Sequence, residues 1–208
     1  NYLHTLNHRG SPDTLVLDPE IKYDLTVHTI PPQEKKDISI IKGKHNIIAL
    51  DAPQGYLRLE LDGTSIQYNP TTLVRKNDDM KTLNVQNFGK VEKYIVGKYD
   101  LEVLTLPRIL IKDVEIKQSS TNTIKIPASG NVSFMKQGGA GFGSIYTDDG
   151  KTVVWVCNLN TTVQNEIIYL QPGRYKVVFR YGNSKQTTQT IDRNFEVKAA
   201  TPLTVRLF

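Results

Sequence analysis

A single cysteine, Cys157, stands among the 208 residues, which excludes a disulfide framework and a cysteine zinc site built within this chain. Set inside the apolar run VVWVC, it reads as a buried and inert thiol. No apolar run approaches the roughly 18 residues that a bilayer span requires, so the chain is not membrane-spanning by helices. Helix signals are equally scarce. No segment repeats apolar residues at i, i+3, i+4 and i+7, and prolines or glycines interrupt most of the longer windows. The four histidines fall between residues 4 and 45, far in sequence from Cys157, and no Ser/His/Asp or Cys/His set can be assembled. Carboxylates are plentiful, but no spacing singles out the opposed pair that glycoside hydrolysis needs. The expectation is a protein that is not an enzyme and that implies no cofactor.

Charge of one sign is also in short supply. The net charge is +5 with a sequence pI near 9.1. Lysines alternate with acids along the chain instead of gathering in a stripe, which argues against nucleic acid as a partner. Hydrophobic content of 38 % with 23 % charged residues fits a folded, soluble chain. Opening on Asn1 without a methionine or signal pattern, the sequence reads as a processed protein or an excised piece of a longer one.

What is present is a phrase written three times. IKYDLTVH, GKYDLEVL and GRYKVVFR carry tyrosines at 23, 99 and 175, two intervals of 76 residues. Each phrase alternates, so Tyr175, Val177 and Phe179 share one face and Arg174, Lys176 and Arg180 the other, the pattern of a half-buried strand. Downstream, DISI (37–40), DVEI (113–116) and NFEV (194–197) alternate again. Ile48 and Leu50, Ile124 and Ile126, Val205 and Leu207 follow at matching offsets and suggest the second arm of a hairpin in fixed register. Gly55 and Gly130 lead into further alternating strands, and Leu83 and Leu159 stand 76 apart. Turn signals such as LDG (61–63) and DDG (148–150) punctuate the chain. The fold expected is all-β, with tandem β-sandwich units of prealbumin-like or immunoglobulin-like type and about seven strands in each complete unit of about 76 residues. Residues 1–50 form the back half of a unit, 51–127 one complete unit, and 128–208 a second.

Candidate sites are few. The segment GGAGFGSIY (138–146) has the glycines of a phosphate loop, but they open a strand-like run with no following Lys-Ser/Thr pair, so a bulged strand connection is expected. His4 and His8 would need a helix and a third ligand to hold a metal, and no metal site is expected. Asp78-Asp79 and Asp148-Asp149 occupy comparable turns, and turn chemistry accounts for them where an EF-hand pattern is missing. Trp155, with Tyr146 and Phe142, offers an aromatic platform for a sugar ring, with Asp148 and Asp149 as neighbouring polar groups. Against this, the phase that Trp155 shares with Val153 and Cys157 places it between the sheets.

The phrases PGRYKVVFR, NFEV and TVRLF, GKYDLEVLTLPRILIKDVEIKQ, YDLTVHTIPP and GKHNIIALDAPQG resemble the C-terminal β-rich region of bacterial von Willebrand factor type A (VWA) domain proteins, over residues 13–208. PGRYKV is also similar to small bacterial sandwiches of the prealbumin-like or PEGA type, modules thought to bind carbohydrate or to act as spacers. A VWA domain holds its metal through a DxSxS motif with further Thr and Asp ligands. Here DGTS at 62–65 has the wrong order, so none of those ligands carries over. The resemblance implies a non-catalytic accessory region with a VWA domain upstream in the same polypeptide. It further implies contacts with protein or glycan at the cell surface, and a periplasmic, cell-surface or secreted location. A carbohydrate-binding module is the alternative.

Overall fold

The computed structural model describes residue 5 and residues 14–63, 68–137, 139, 141–182 and 189–208. The chain divides into two compact units, Asn1–Ala52 and Pro53–Phe208. In the first, β1 (Lys22–Val27) and β2 (Gln33–Ser39) form a two-stranded antiparallel sheet. In the second, the strands are β3 (Gln54–Asp62), β4 (Thr71–Lys76), β5 (Thr82–Asn87), β6 (Val91–Ile95), β7 (Gly97–Val103), β8 (Ile109–Ile116) and β9 (Thr121–Pro127). They are followed by β10 (Gly130–Met135), β11 (Gly141–Asp148), β12 (Val153–Asn158), β13 (Asn165–Leu170), β14 (Gly173–Tyr181), β15 (Ile191–Val197) and β16 (Pro202–Arg206).

The two seven-stranded sets have the same topology. Sheets β6-β3-β9 and β5-β4-β7-β8 make one sandwich, and β13-β10-β16 and β12-β11-β14-β15 make the other. The protein is all-β with tandem β-sandwich units. Leu57, Leu59, Val74, Tyr99, Leu101 and Val103 fill the first interior; Val132, Phe134, Ile145, Tyr175, Val177 and Phe179 fill the second.

The repeated tyrosine has a specific task. The Tyr99 hydroxyl donates to the Ile95 carbonyl and that of Tyr175 to the Gln171 carbonyl, each at 2.7 Å. A phenol that reaches back four residues across the strand entry is a tyrosine corner; it pins the crossing between the two sheets and satisfies a carbonyl there. Tyr23 makes the corresponding bond to the Asp18 carbonyl at 3.2 Å. Gly55 and Gly130 are required by close approach, since a Cβ at Gly55 would lie 2.0 Å from the Lys117 carbonyl oxygen and one at Gly130 2.5 Å from a Val197 methyl.

Three expectations are corrected. The segment after each DISI-type strand is not the second arm of a hairpin: β9 pairs in parallel with β3 and β16 in parallel with β10, both in the sheet opposite to β8 and β15. The fixed offset reflects a crossing between sheets. In the first copy, residues 46–50 form no strand at all. Finally, Leu83 and Leu159 are not counterparts. Both β4–β5 and β11–β12 slip by one residue, at Val74/Arg75 and at Ile145/Tyr146, so the residue opposite no partner is Leu83 in one and Val156 in the other. Gln86 is then the counterpart of Leu159.

Within Pro53–Phe208 the two sandwiches meet through a built joint. The ring of Tyr68 stacks on Tyr169 at 5.1 Å and 10°. The Tyr68 hydroxyl donates to the Leu104 carbonyl, and the Gln171 backbone N–H donates to the Leu106 carbonyl at 2.7 Å. The Leu106 side chain packs against the core of the second sandwich.

Candidate functional site

The outer face of the β12-β11-β14-β15 sheet gathers the aromatic residues that the sequence singled out. Along β11, Ile145 is buried while Phe142, Ser144 and Tyr146 alternate to the opposite side. Gly141 and Gly143 take the inward positions because Phe179 leaves no room for a Cβ, which would meet its ring at 2.5 and 2.9 Å. The glycine-rich segment is thus part of a strand packed over an aromatic ring; residues 138 and 140 lie outside the described residues.

Trp155 departs from the sequence reading. It is 57 % exposed and does not lie between the sheets. The bulge is the physical cause: with two residues of β12 opposing one of β11, Val156 and Cys157 both pack on the core, and Trp155 is left on the outside opposite Tyr146. The indole Nε1–H donates to the Asn158 Oδ1 at 3.0 Å, and the Ser144 hydroxyl donates to the same oxygen at 2.8 Å. The ring is therefore tied down along its own strand. Phe142, 66 % exposed, sits on the same side of β11 four residues before Tyr146, opposite Arg180. Beyond Tyr146 the row continues through Lys176, which pairs with Asp192 at 2.8 Å. That bond holds the ammonium above its ordinary range. The face thus offers two exposed aromatic rings, a half-exposed tyrosine and a border of amide, hydroxyl and paired charges.

Asp148 and Asp149 sit at the end of this face, in the β11–β12 turn. Asp148 accepts the Gly150 amide at 2.9 Å. Asp149 accepts the amides of Lys151 and Thr152 and the Thr152 hydroxyl, at 2.8, 2.7 and 3.0 Å, and these donors hold its carboxyl below the usual range. Its oxygens are occupied by the turn itself. Asp79 plays the same part in the first sandwich by accepting the Lys81 amide. Among the described residues no three His, Cys, Asp or Glu side chains come together as metal ligands; His4 and His8 lie outside the described residues. No helix among the described residues is long and apolar enough to cross a membrane.

Sequence reasoning missed the polar groups inside the sandwiches. In the first, the Tyr94 hydroxyl donates to Gln86 Oε1 at 3.0 Å and accepts from the Asn84 amide at 2.9 Å, while Gln86 Nε2 donates to the Leu57 carbonyl at 3.0 Å. Burial pushes the Tyr94 hydroxyl up to about 12. In the second, the side chain of Lys136 is fully buried and its ammonium reaches the Asn160 carbonyl and, at 3.5 Å, Glu166. The signal was available: Lys136 continues the inward phase of Val132 and Phe134. Glu102, shielded between Arg75 at 2.6 Å and Arg108, is held well below the usual carboxylate range by those guanidinium groups. Burial raises the Cys157 thiol to about 11, the direction of an inert thiol.

No family model matches the chain, and no curated protein matches it. Among solved structures it is similar to a minor pilin of the Gram-positive pathogen Streptococcus agalactiae, GBS52, at 10 % identity over 73 % of this chain and 94 % of that one, with a TM-score of 0.36. It is similar to the Bacillus anthracis TIE protein at 16 % identity over 84 % of this chain and 38 % of that one, with a TM-score of 0.32. A streptococcal ancillary pilin matches at 12 % identity over 89 % of this chain and 75 % of that one, with a TM-score of 0.30. Likenesses at such TM-scores carry no argument about the role of this chain.

Proposed function

We propose that the chain is a non-catalytic accessory region of a bacterial envelope or secreted protein, in which jointed β-sandwiches space and present a contact surface. The finer reading, taken from the sequence resemblance, makes it the region that carries a VWA domain of the same polypeptide and meets protein or glycan at the cell surface. Rigid sheets suit that task, because side chains anchored on paired strands hold their geometry without a ligand.

The observation that carries the proposal is the exposed and tethered Trp155 opposite Tyr146, with Phe142 further along the same face. A monomer seldom places large aromatics on the open face of a sheet without a partner for them. The same feature favours the second reading, a carbohydrate-binding module, because flat rings bordered by Asn158, Ser144 and Lys176 match the alternating apolar and hydroxyl faces of a sugar.

The test is a fluorescence titration. Trp155 is the only tryptophan, so its emission reports this face alone. Addition of purified cell-wall polysaccharide should shift it if glycan is the ligand, and addition of solubilised surface protein if protein is. Trp155→Ala should abolish retention on the ligand while lowering stability by no more than about 0.5 kcal/mol, as expected of an exposed position. No shift with either ligand class, together with unchanged retention of the variant, would count against this face as the contact surface.

A further inference from the structure

The first copy of the repeat can be compared strand by strand with the second. β1–β2 reproduces β7–β8 closely. Both hairpins slip beside an aspartate, with Asp37 at φ 55° and Asp113 at φ 58°. Their amides donate to Asp24 Oδ1 and Asp100 Oδ1, each at 3.0 Å. The Thr29 and Thr105 hydroxyls each reach a proline carbonyl at 2.7 Å. The burial of the inward face differs. Tyr99, Leu101 and Val103 are 3, 1 and 0 % exposed, whereas Tyr23, Leu25 and Val27 are all partly exposed.

Two more segments of this copy lack what their counterparts have. Tyr23 bonds the Asp18 carbonyl where Tyr99 bonds that of Ile95, so Asp18 answers to Ile95 and Leu17 to Tyr94 on β6. Ile48 and Leu50 answer to Ile124 and Ile126 on β9. Neither 14–18 nor 46–50 forms a strand, and Val16 and Ile47 are largely exposed. In the complete sandwich β6 and β9 are not neighbours; both pair with β3, one antiparallel and one parallel. The absence of one central strand among the described residues of this unit accounts for both unpaired segments. A second difference lies at the other edge of β1, which pairs with no strand among the described residues, whereas the same edge of β7 pairs with β4. The turn after β4 also sends the Asp78 amide to Asp100 Oδ2 at 3.2 Å, while Asp24 accepts only the Asp37 amide among the described residues.

We propose that residues 14–50 are an acceptor for a two-strand segment of β3–β4 type. Its first strand enters between 14–18 and 46–50 and covers Tyr23, Leu25 and Val27 from the opposite sheet, and its second adds antiparallel to the edge of β1, as β3 and β4 do for β7. The occupant is a segment of the repeat covalently continuous with this chain. Thr5-Leu6-Asn7 repeats Thr82-Leu83-Asn84 at the interval of 77 that also relates Leu17 to Tyr94, so the strands next in register are of β3–β4 type. A second copy of the chain does not serve, because lending its own β3 and β4 would open an equal face elsewhere.

The experiment joins a copy of residues 51–77 directly ahead of Asn1 of the full chain, which reproduces the junction before Asp78. Hydrogen exchange of the β1 amides should slow by at least about a hundredfold, with new protection at 14–18 and 46–50 and none gained in 53–208. The same fusion with Leu57→Asp and Leu59→Asp in the added copy should exchange like the unmodified chain. Unprotected 14–18 and 46–50 in the intact fusion, with 53–208 still folded, overturn the proposal. A second measurement does not depend on the fusion folding. Hydroxyl-radical footprinting of the unmodified chain should label Tyr23, Leu25 and Val27 and spare Tyr99, Leu101 and Val103; equal protection of the two trios would mean that the face is already covered and would overturn it too.

Discussion

Asn84, Gln86 and Tyr94 stand at the positions that Cys157, Leu159 and Leu170 occupy in the second sandwich, once the shared bulge is used to set the register. One interior is thus closed by a three-membered hydrogen-bond set and the other by apolar packing. A partly broken set is the worst state, because each orphaned group keeps its desolvation cost. Tyr94→Phe should therefore lower stability by about 1–3 kcal/mol in urea denaturation, and replacing all three residues by Cys, Leu and Leu should recover part of that loss. Glu102 gives a pH dependence of known sign. Its folded-state value lies below the ordinary 4.5, because two guanidinium groups favour the carboxylate. Its contribution is therefore complete above the unfolded value and is lost as the pH falls through the folded one. Glu102→Gln should flatten the acid limb of a stability-versus-pH curve and lower stability at neutral pH, and an unchanged acid limb would remove Glu102 from the account.

At the scale of the element, the repeats differ by a bulge. β7–β8 slips between Tyr99 and Leu101, and Asp100 takes the amide of the left-handed Asp113 along with that of Asp78. Aspartate tolerates that backbone conformation better than most residues. In the third copy Lys176 replaces the aspartate, β14–β15 pairs without interruption, and the lysine binds Asp192 instead. Asp100→Ala should cost about 2 kcal/mol, from two lost charge-assisted bonds, and Asp100→Asn less because an amide oxygen still accepts; thermal denaturation of the two variants gives the order. Such a difference was written in the sequence as KYDL against RYKV. It was not legible there, because the phase of a strand is normally read as unbroken alternation, and a bulge breaks it by geometry that depends on the neighbouring strand. The same failure misplaced Trp155.

Over the whole of Pro53–Phe208, the joint through Tyr68, Leu106, Tyr169 and Gln171 makes the second sandwich rely on the first for part of its core. Adjacent repeats that share buried surface unfold together. Calorimetry on the full chain should show the two sandwiches melting in one transition, and Leu106→Ala with Tyr68→Ala should resolve it into two; two transitions in the unaltered protein would disprove the coupling. The sequence by itself determined the all-β class, the 76-residue period and the inward face of each tyrosine strand, because those follow from local alternation and from phrases that recur. Only the tertiary structure decided that the last strand of each unit joins the opposite sheet in parallel with β3 or β10, that Trp155 faces outward, and that Gln86 and Tyr94 bond each other inside the first sandwich. Each of these depends on a partner many residues away, and a hydrogen bond or a one-residue slip between distant strands leaves no periodic mark on the chain.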